Sequence, residues 1–161
     1  MKSLLLFLGW LLTPCLLFSQ ISFQEFPKSL QLYPRNLASN KAIVQIRGTA
    51  APGSDSLVFS LTKSDGATER KALSLNDLNN GQFNLSFELV AGLWSYAFKA
   101  EQQTPAGLVL LKSADNVVAG DVFAVEGQSN AQSVAYNGDA NIWQSNFIRC
   151  YGTSNPDLYT D

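Results

Sequence analysis

Phe83, Leu85, Phe87 and Leu89 alternate with Asn84, Ser86 and Glu88, a two-residue period that fits a half-buried β-strand. Successive side chains of a strand point to opposite faces, so such a period buries one row and leaves the other in water. A helix would scatter the same four side chains around its circumference. Similar runs surround this one. Leu30 to Tyr33 reads as extended and stops at Pro34. Ala42 to Ile46 alternates around Val44 and Ile46 and then meets Gly48. Leu57, Phe59 and Leu61 point inward ahead of Ser64-Asp-Gly66, a strong turn signal. A weaker strand spans Arg70 to Leu75, before Asn79-Asn-Gly81. Leu93 to Ala100 alternates, with Trp94, Tyr96 and Phe98 on one core-facing side, and Leu108 to Leu111 reads as a buried run. About six or seven short strands separated by turns predict an antiparallel β-sandwich.

The first twenty residues stand outside this pattern. Lys2 supplies a positive start, Leu4 to Leu17 an apolar core, and Ser19 or Gln20 a plausible cleavage point, as in a secretory signal. The apolar stretch is short of the roughly 20 residues a membrane span needs, and Pro14 would disturb a helix there. Cys15 invites a lipid-anchor reading, but Pro14 before it and Leu16-Leu17 after it fit that poorly. The expectation is export to the periplasm or the extracellular space, with no stable membrane anchor.

Composition excludes several classes of function. Net charge is −2, and losing Lys2 with the signal leaves 10 basic against 13 acidic residues. The basic residues are scattered, so no stripe is present to track a phosphate backbone, and nucleic acid is not an expected partner. Of the two cysteines only Cys150 would survive cleavage, which rules out an internal disulfide framework. It sits in the apolar run Phe147-Ile-Arg-Cys-Tyr151, as a small buried hydrophobe would. With no histidine in the chain, a zinc site of usual ligands is not expected. Asn84-Leu-Ser86 matches a glycosylation triplet but falls inside a strand pattern, where chance occurrence is the simpler reading.

Leu89-Val-Ala-Gly-Leu-Trp94 resembles the Leu-x-Pro-Gly-x-Tyr corner of fibronectin type III and immunoglobulin-like sandwiches. In those folds the Tyr hydroxyl ties the corner to nearby backbone. Here Trp94 occupies the Tyr position and Ala91 the Pro position, so the resemblance implies a tether through the indole N–H or through packing.

A change of pattern falls near Asn116 to Gly120. Beyond it Val122 to Val125 is an unbroken apolar run, as in a strand covered on both faces. Gly127 breaks that run into a turn presenting Ser129, Asn130 to about Tyr136 can open a helix, and Phe147 to Tyr151 is a second apolar run. Strand, helix and strand open an α/β arrangement. The expected division is a signal at 1–20, a β-sandwich at 21–117 and the start of an α/β domain at 118–161.

A serine on a Gly-containing turn between strand and helix is a common way to expose a nucleophile. Its hydroxyl needs a base within hydrogen-bond reach and an anion site facing it. Gly127 lets the backbone turn sharply. The Ser129 N–H, near a helix start, can face a developing oxyanion. Gln128 and Asn130 can position the turn or the substrate, and Asn130 can equally be a plain N-cap.

Gly120-Asp-Val-Phe123 followed by Gly127-Gln-Ser-Asn130 resembles the first block of the sialate O-acetylesterase family, carbohydrate esterases of the SGNH-hydrolase superfamily. The family run is Gly-Asp-Val-Trp, three residues, then Gly-Gln-Ser-Asn-Met, so Phe123 replaces Trp and Ala131 replaces Met. Asn146-Phe-Ile-Arg149 is similar to the family's second strand, with its Ile-Arg pair. The resemblance covers 120–152 closely and the preceding sandwich in architecture alone. It implies a serine esterase acting on O-acetylated sugar (sialic acid, or a plant or microbial polysaccharide) with no metal or organic cofactor. It also implies a Gly and an Asn from later blocks completing the oxyanion hole, and an Asp and a His in a block near the domain's C-terminal end. Nothing here matches that block, because Asp157 and Asp161 come too early and the chain holds no His. The expectation is a domain that continues past Asp161, and no esterase activity from these 161 residues alone. A secreted glycan- or protein-binding sandwich, and a pseudoenzyme that has lost its base, are the alternatives.

Overall fold

The computed structural model of the chain describes residues 21–51, 53, 55–123 and 145–147. They are β-rich, with two short 3-10 turns as their helical content. Eight strands follow in order: β1 (Ile21–Glu25), β2 (Leu32–Pro34), β3 (Lys41–Ala50), β4 (Ser56–Lys63), β5 (Thr68–Ser74), β6 (Gln82–Val90), β7 (Tyr96–Thr104) and β8 (Gly107–Gly120). They form a three-stranded sheet in the order β1-β3-β6 and a five-stranded sheet in the order β2-β8-β7-β4-β5. Every pairing is antiparallel except β2 with β8, which run parallel over Leu32–Pro34 and Val118–Gly120.

The alternation that predicts β6 is also what buries it. Phe83, Phe87 and Leu89 are buried, whereas Gln82, Asn84 and Glu88 face solvent. Its partner β3 turns Ala42, Val44, Ile46 and Ala50 inward over the whole register from Lys41–Val90 to Thr49–Gln82. The other sheet contributes Leu57, Phe59 and Leu61 from β4, Tyr96, Phe98 and Ala100 from β7, and Ala114, Val117 and Ala119 from β8 to the same hydrophobic cluster. Rings meet between the two sheets. Phe59 lies 5.7 Å from Phe83, and Phe87 meets Phe98 edge-on at 5.8 Å. Such aromatic pairs add to the roughly 1.5–3 kcal/mol that burying each side chain contributes.

β3 extends through Gly48 where the sequence predicts its end. An added Cβ at Gly48 would collide with the Ser22 carbonyl and the Phe83 ring, so this glycine admits the close approach of β1 and β6. Ser64-Asp65-Gly66 does form the β4–β5 turn: Gly66 N–H donates to the Lys63 carbonyl at 2.9 Å, and Gly66 has φ +94°.

The structure corrects two expectations, the burial of Leu108 to Leu110 and the core-facing side chain of Trp94. Leu108, Val109 and Leu110 are not buried; they are 46, 49 and 56% exposed. They occupy the start of β8, where β7 is the strand's pairing partner and β2 joins only near its far end. Asn116 takes φ +55° within β8, where the register slips at a bulge between Tyr96–Val117 and Phe98–Ala114, and the strand carries on to Gly120, the end of the stretch where the sequence pattern changes. Trp94 does not share the core face of Tyr96 and Phe98. It lies in the corner before β7, 37% exposed, under the Lys63 ammonium at 3.7 Å from the ring centre.

Candidate functional site

β2 and β8 run parallel and deliver their last residues, Pro34 and Gly120, side by side. Arg35 follows on one strand and Asp121 on the other, and the Arg35 N–H donates to the Gly120 carbonyl at 2.9 Å. The 35–40 loop then turns tightly because the Asn36 side-chain oxygen accepts the N–H groups of Ala38 and Ser39 at 2.9 and 3.1 Å. Asn40 closes the loop at φ +55°, a left-handed conformation that Asn tolerates better than most residues. Its carbonyl accepts the Ala91 N–H at 3.0 Å, and its side-chain amide donates to the Ala91 carbonyl at 3.3 Å. Three segments far apart in sequence thereby converge.

Their polar side chains form one network. Arg35 grips Asp121 with a two-pronged contact, Nε to Oδ1 at 2.7 Å and Nη2 to Oδ2 at 2.9 Å. Its Nη1 donates to Asn40 Oδ1 at 2.6 Å. The hydrogen bond from Arg35 holds the Asp121 carboxyl below its ordinary value, and the same bond raises the guanidinium further. Both side chains remain partly open to solvent, at 30 and 40% exposure, so the pair fixes geometry more than it adds stability.

Around this network lies a groove of about 360 Å³. Leu32, Leu93, Val118 and Phe147 supply apolar wall, and Arg35, Asn40 and Asp121 the polar side. The volume falls within the range of small-molecule sites, and the lining is open and more polar than apolar.

Gly127, Gln128, Ser129 and Asn130 lie outside the described residues, as do Ala124, Val125 and the Ile148–Tyr151 run with Cys150. Of the run from Gly120 to Asn130 singled out in the sequence, Gly120 to Phe123 are described. Asp121 is fastened to Arg35, while Val122 and Phe123, predicted to open a buried strand, are 62 and 83% exposed. Arg35 and Asn40 carry no signal in the sequence. Arg35 is 86 positions from Asp121, and no local pattern links a loop arginine to a partner that distant.

The fold defines a β-rich protein with antiparallel sheets. Compared with protein-family models, with curated proteins and with solved structures, the chain matches none.

Proposed function

We propose that the chain carries the nucleophile block of an exported serine esterase that removes acetyl groups from sugars. In this reading the two sheets are an immunoglobulin- or fibronectin-like sandwich ahead of an SGNH-type domain that opens after Gly120. The observation that carries it is the run Gly120-Asp-Val-Phe123 and Gly127-Gln-Ser-Asn130, with Ile148-Arg149 downstream. The Arg35–Asp121 contact supports it by giving the block's first acidic residue a fixed attachment to the preceding sheet.

The chemistry follows from the residue types. Ser129 Oγ attacks the acetyl carbonyl carbon, and the oxyanion that forms faces the Ser129 N–H. Collapse of that intermediate releases the sugar hydroxyl, which takes its proton from the general base that activated the serine. Water then attacks the acetyl-serine by the same route and releases acetate. The 161 residues hold no histidine, so in this reading the base and its carboxylate partner come from sequence beyond them. Removing a triad member in a serine hydrolase costs on the order of a million-fold in rate.

The test is acetate release from an O-acetylated oligosaccharide. The 161-residue chain is expected to give none. A longer product of the same reading frame, carrying an Asp-x-x-His block, is expected to turn over and to lose activity in Ser129→Ala. Turnover by the longer product that survives Ser129→Ala would contradict the proposal, and so would a reading frame with no such block.

A further inference from the structure

We propose that the groove between the 35–40 loop, the 91–93 corner and the end of β8 binds a neutral pyranose unit. The choice of sugar as the ligand class rests on the esterase reading above; the choice of a neutral sugar rests on the groove alone.

The polar side of the groove suits adjacent hydroxyl groups. A guanidinium has five N–H donors, and the network uses three of those on Arg35. One hydrogen on Nη1 and one on Nη2 are left without a partner among the described residues. The Asn40 amide uses one of its two hydrogens, on the Ala91 carbonyl. Each Asp121 oxygen accepts one bond and has a further lone pair to offer. Donors and acceptors therefore stand side by side, and neighbouring hydroxyls of a sugar can satisfy both. Leu93, at 77% exposure, and Phe147 supply the apolar surface that the C–H face of a pyranose covers.

Charge decides which sugar. Asp121 takes both prongs of Arg35, so the groove carries a cation and an anion in contact and no net charge. A ligand carboxylate drawn to the guanidinium would be held against the Asp121 carboxylate, where repulsion offsets the attraction. An acidic sugar such as a sialoside therefore gains little from Arg35, while a neutral sugar loses nothing.

The experiment is an NMR titration of the isotopically labelled full chain, following amide signals and the Arg35 Nε–H. The neutral probes are cellotetraose, xylotetraose and mannotetraose; the acidic probe is the methyl glycoside of N-acetylneuraminic acid. At least one neutral tetraose is expected to shift Arg35, Asn40 and Leu93, and the sialoside to bind about fivefold more weakly or less. Asn40→Gly, which keeps the left-handed backbone, and Leu93→Ala, at an exposed rim position, are each expected to weaken binding about fivefold. Asp121→Asn leaves the guanidinium unneutralised and is expected to turn the preference toward the sialoside, which a merely structural role for Asp121 would not do. No shift at these residues with any neutral probe would overturn the proposal, as would equal binding of the sialoside to the unaltered chain or an unchanged preference in Asp121→Asn. Those outcomes leave the role of Ser129 untouched, and loss of that role would not alter the shifts.

Discussion

The Tyr96 hydroxyl donates a hydrogen bond of 2.9 Å to the carbonyl of Val90, tying the first residue of β7 to the last residue of β6. Burial raises the Tyr96 pKa, so the hydroxyl keeps its proton and stays a donor through the neutral range. The sequence places this tether at Trp94, two positions earlier. The corner runs on through Gly92, where an added Cβ would come within 2.9 Å of the Trp94 ring, and Tyr96 is the first aromatic side chain to enter the core.

Tyr96→Phe keeps the ring and removes the donor. It is expected to cost about 1 kcal/mol in urea unfolding, the usual net worth of one hydrogen bond. Tyr96→Ala is expected to cost about 3–5 kcal/mol, as buried aromatic truncations do. Trp94→Ala should stay under about 1 kcal/mol, the scale of an exposed cation–π contact. If Trp94→Ala proved the more damaging of the two truncations, the tether would belong to the indole.

Gly48→Ala tests the close approach of β1 and β6. The obstruction includes the Ser22 carbonyl, which belongs to the backbone of β1 and cannot rotate aside as a side-chain tip would. A loss of about 1–3 kcal/mol is expected, typical of overpacking. An unchanged unfolding midpoint would show that β1 moves away without cost.

The Asp121 carboxyl titrates below its ordinary value of 3.8 because of the hydrogen bond from Arg35. A depressed carboxylate contributes stability above its unfolded pKa and loses it as pH falls through the folded value. The contact should therefore persist at pH 4 and open only in stronger acid. Carbon NMR of the Asp121 carboxyl should show the low midpoint in the unaltered chain and a return toward 3.8 in Arg35→Leu. An identical midpoint in both would place the cause elsewhere.

Tyr33 gives the opposite sign at alkaline pH. Burial, with Glu25 nearby, pushes its pKa from 10.0 up to about 12. A raised acid keeps its stabilising share below the unfolded value and loses it as pH climbs through the folded one. Unfolding free energy should accordingly fall between pH 10 and 12, and fall less steeply in Tyr33→Phe. Phenolate absorbance should show a late-titrating component that the substitution removes.

β4 and β6 were legible in the sequence because apolar side chains recur at every second residue, Leu57, Phe59 and Leu61 in one and Phe83, Leu85, Phe87 and Leu89 in the other. Leu108 to Leu110 misled for a physical reason. Three adjacent apolar residues read as a strand covered on both sides, but here β8 extends along an edge with part of both faces in water. The bulge at Asn116, whose positive φ lets the strand continue, carried no signal of its own in the sequence. The Gly127-Gln-Ser-Asn130 run is legible only as a motif, and Arg35 and Asn40 not at all. Their place beside Asp121 depends on the parallel pairing of β2 with β8, which no local pattern encodes.

Ser129 is proposed as the activated nucleophile of a sugar esterase. A fluorophosphonate probe reacts with serines that a neighbouring base has activated, and mass spectrometry of the digested adduct reports which residue carries it. The longer product of the reading frame, treated this way, should be labelled on the peptide containing Ser129, and Ser129→Ala should abolish the label. A well-folded longer product left unlabelled, or labelled at another serine, would exclude Ser129 as the nucleophile.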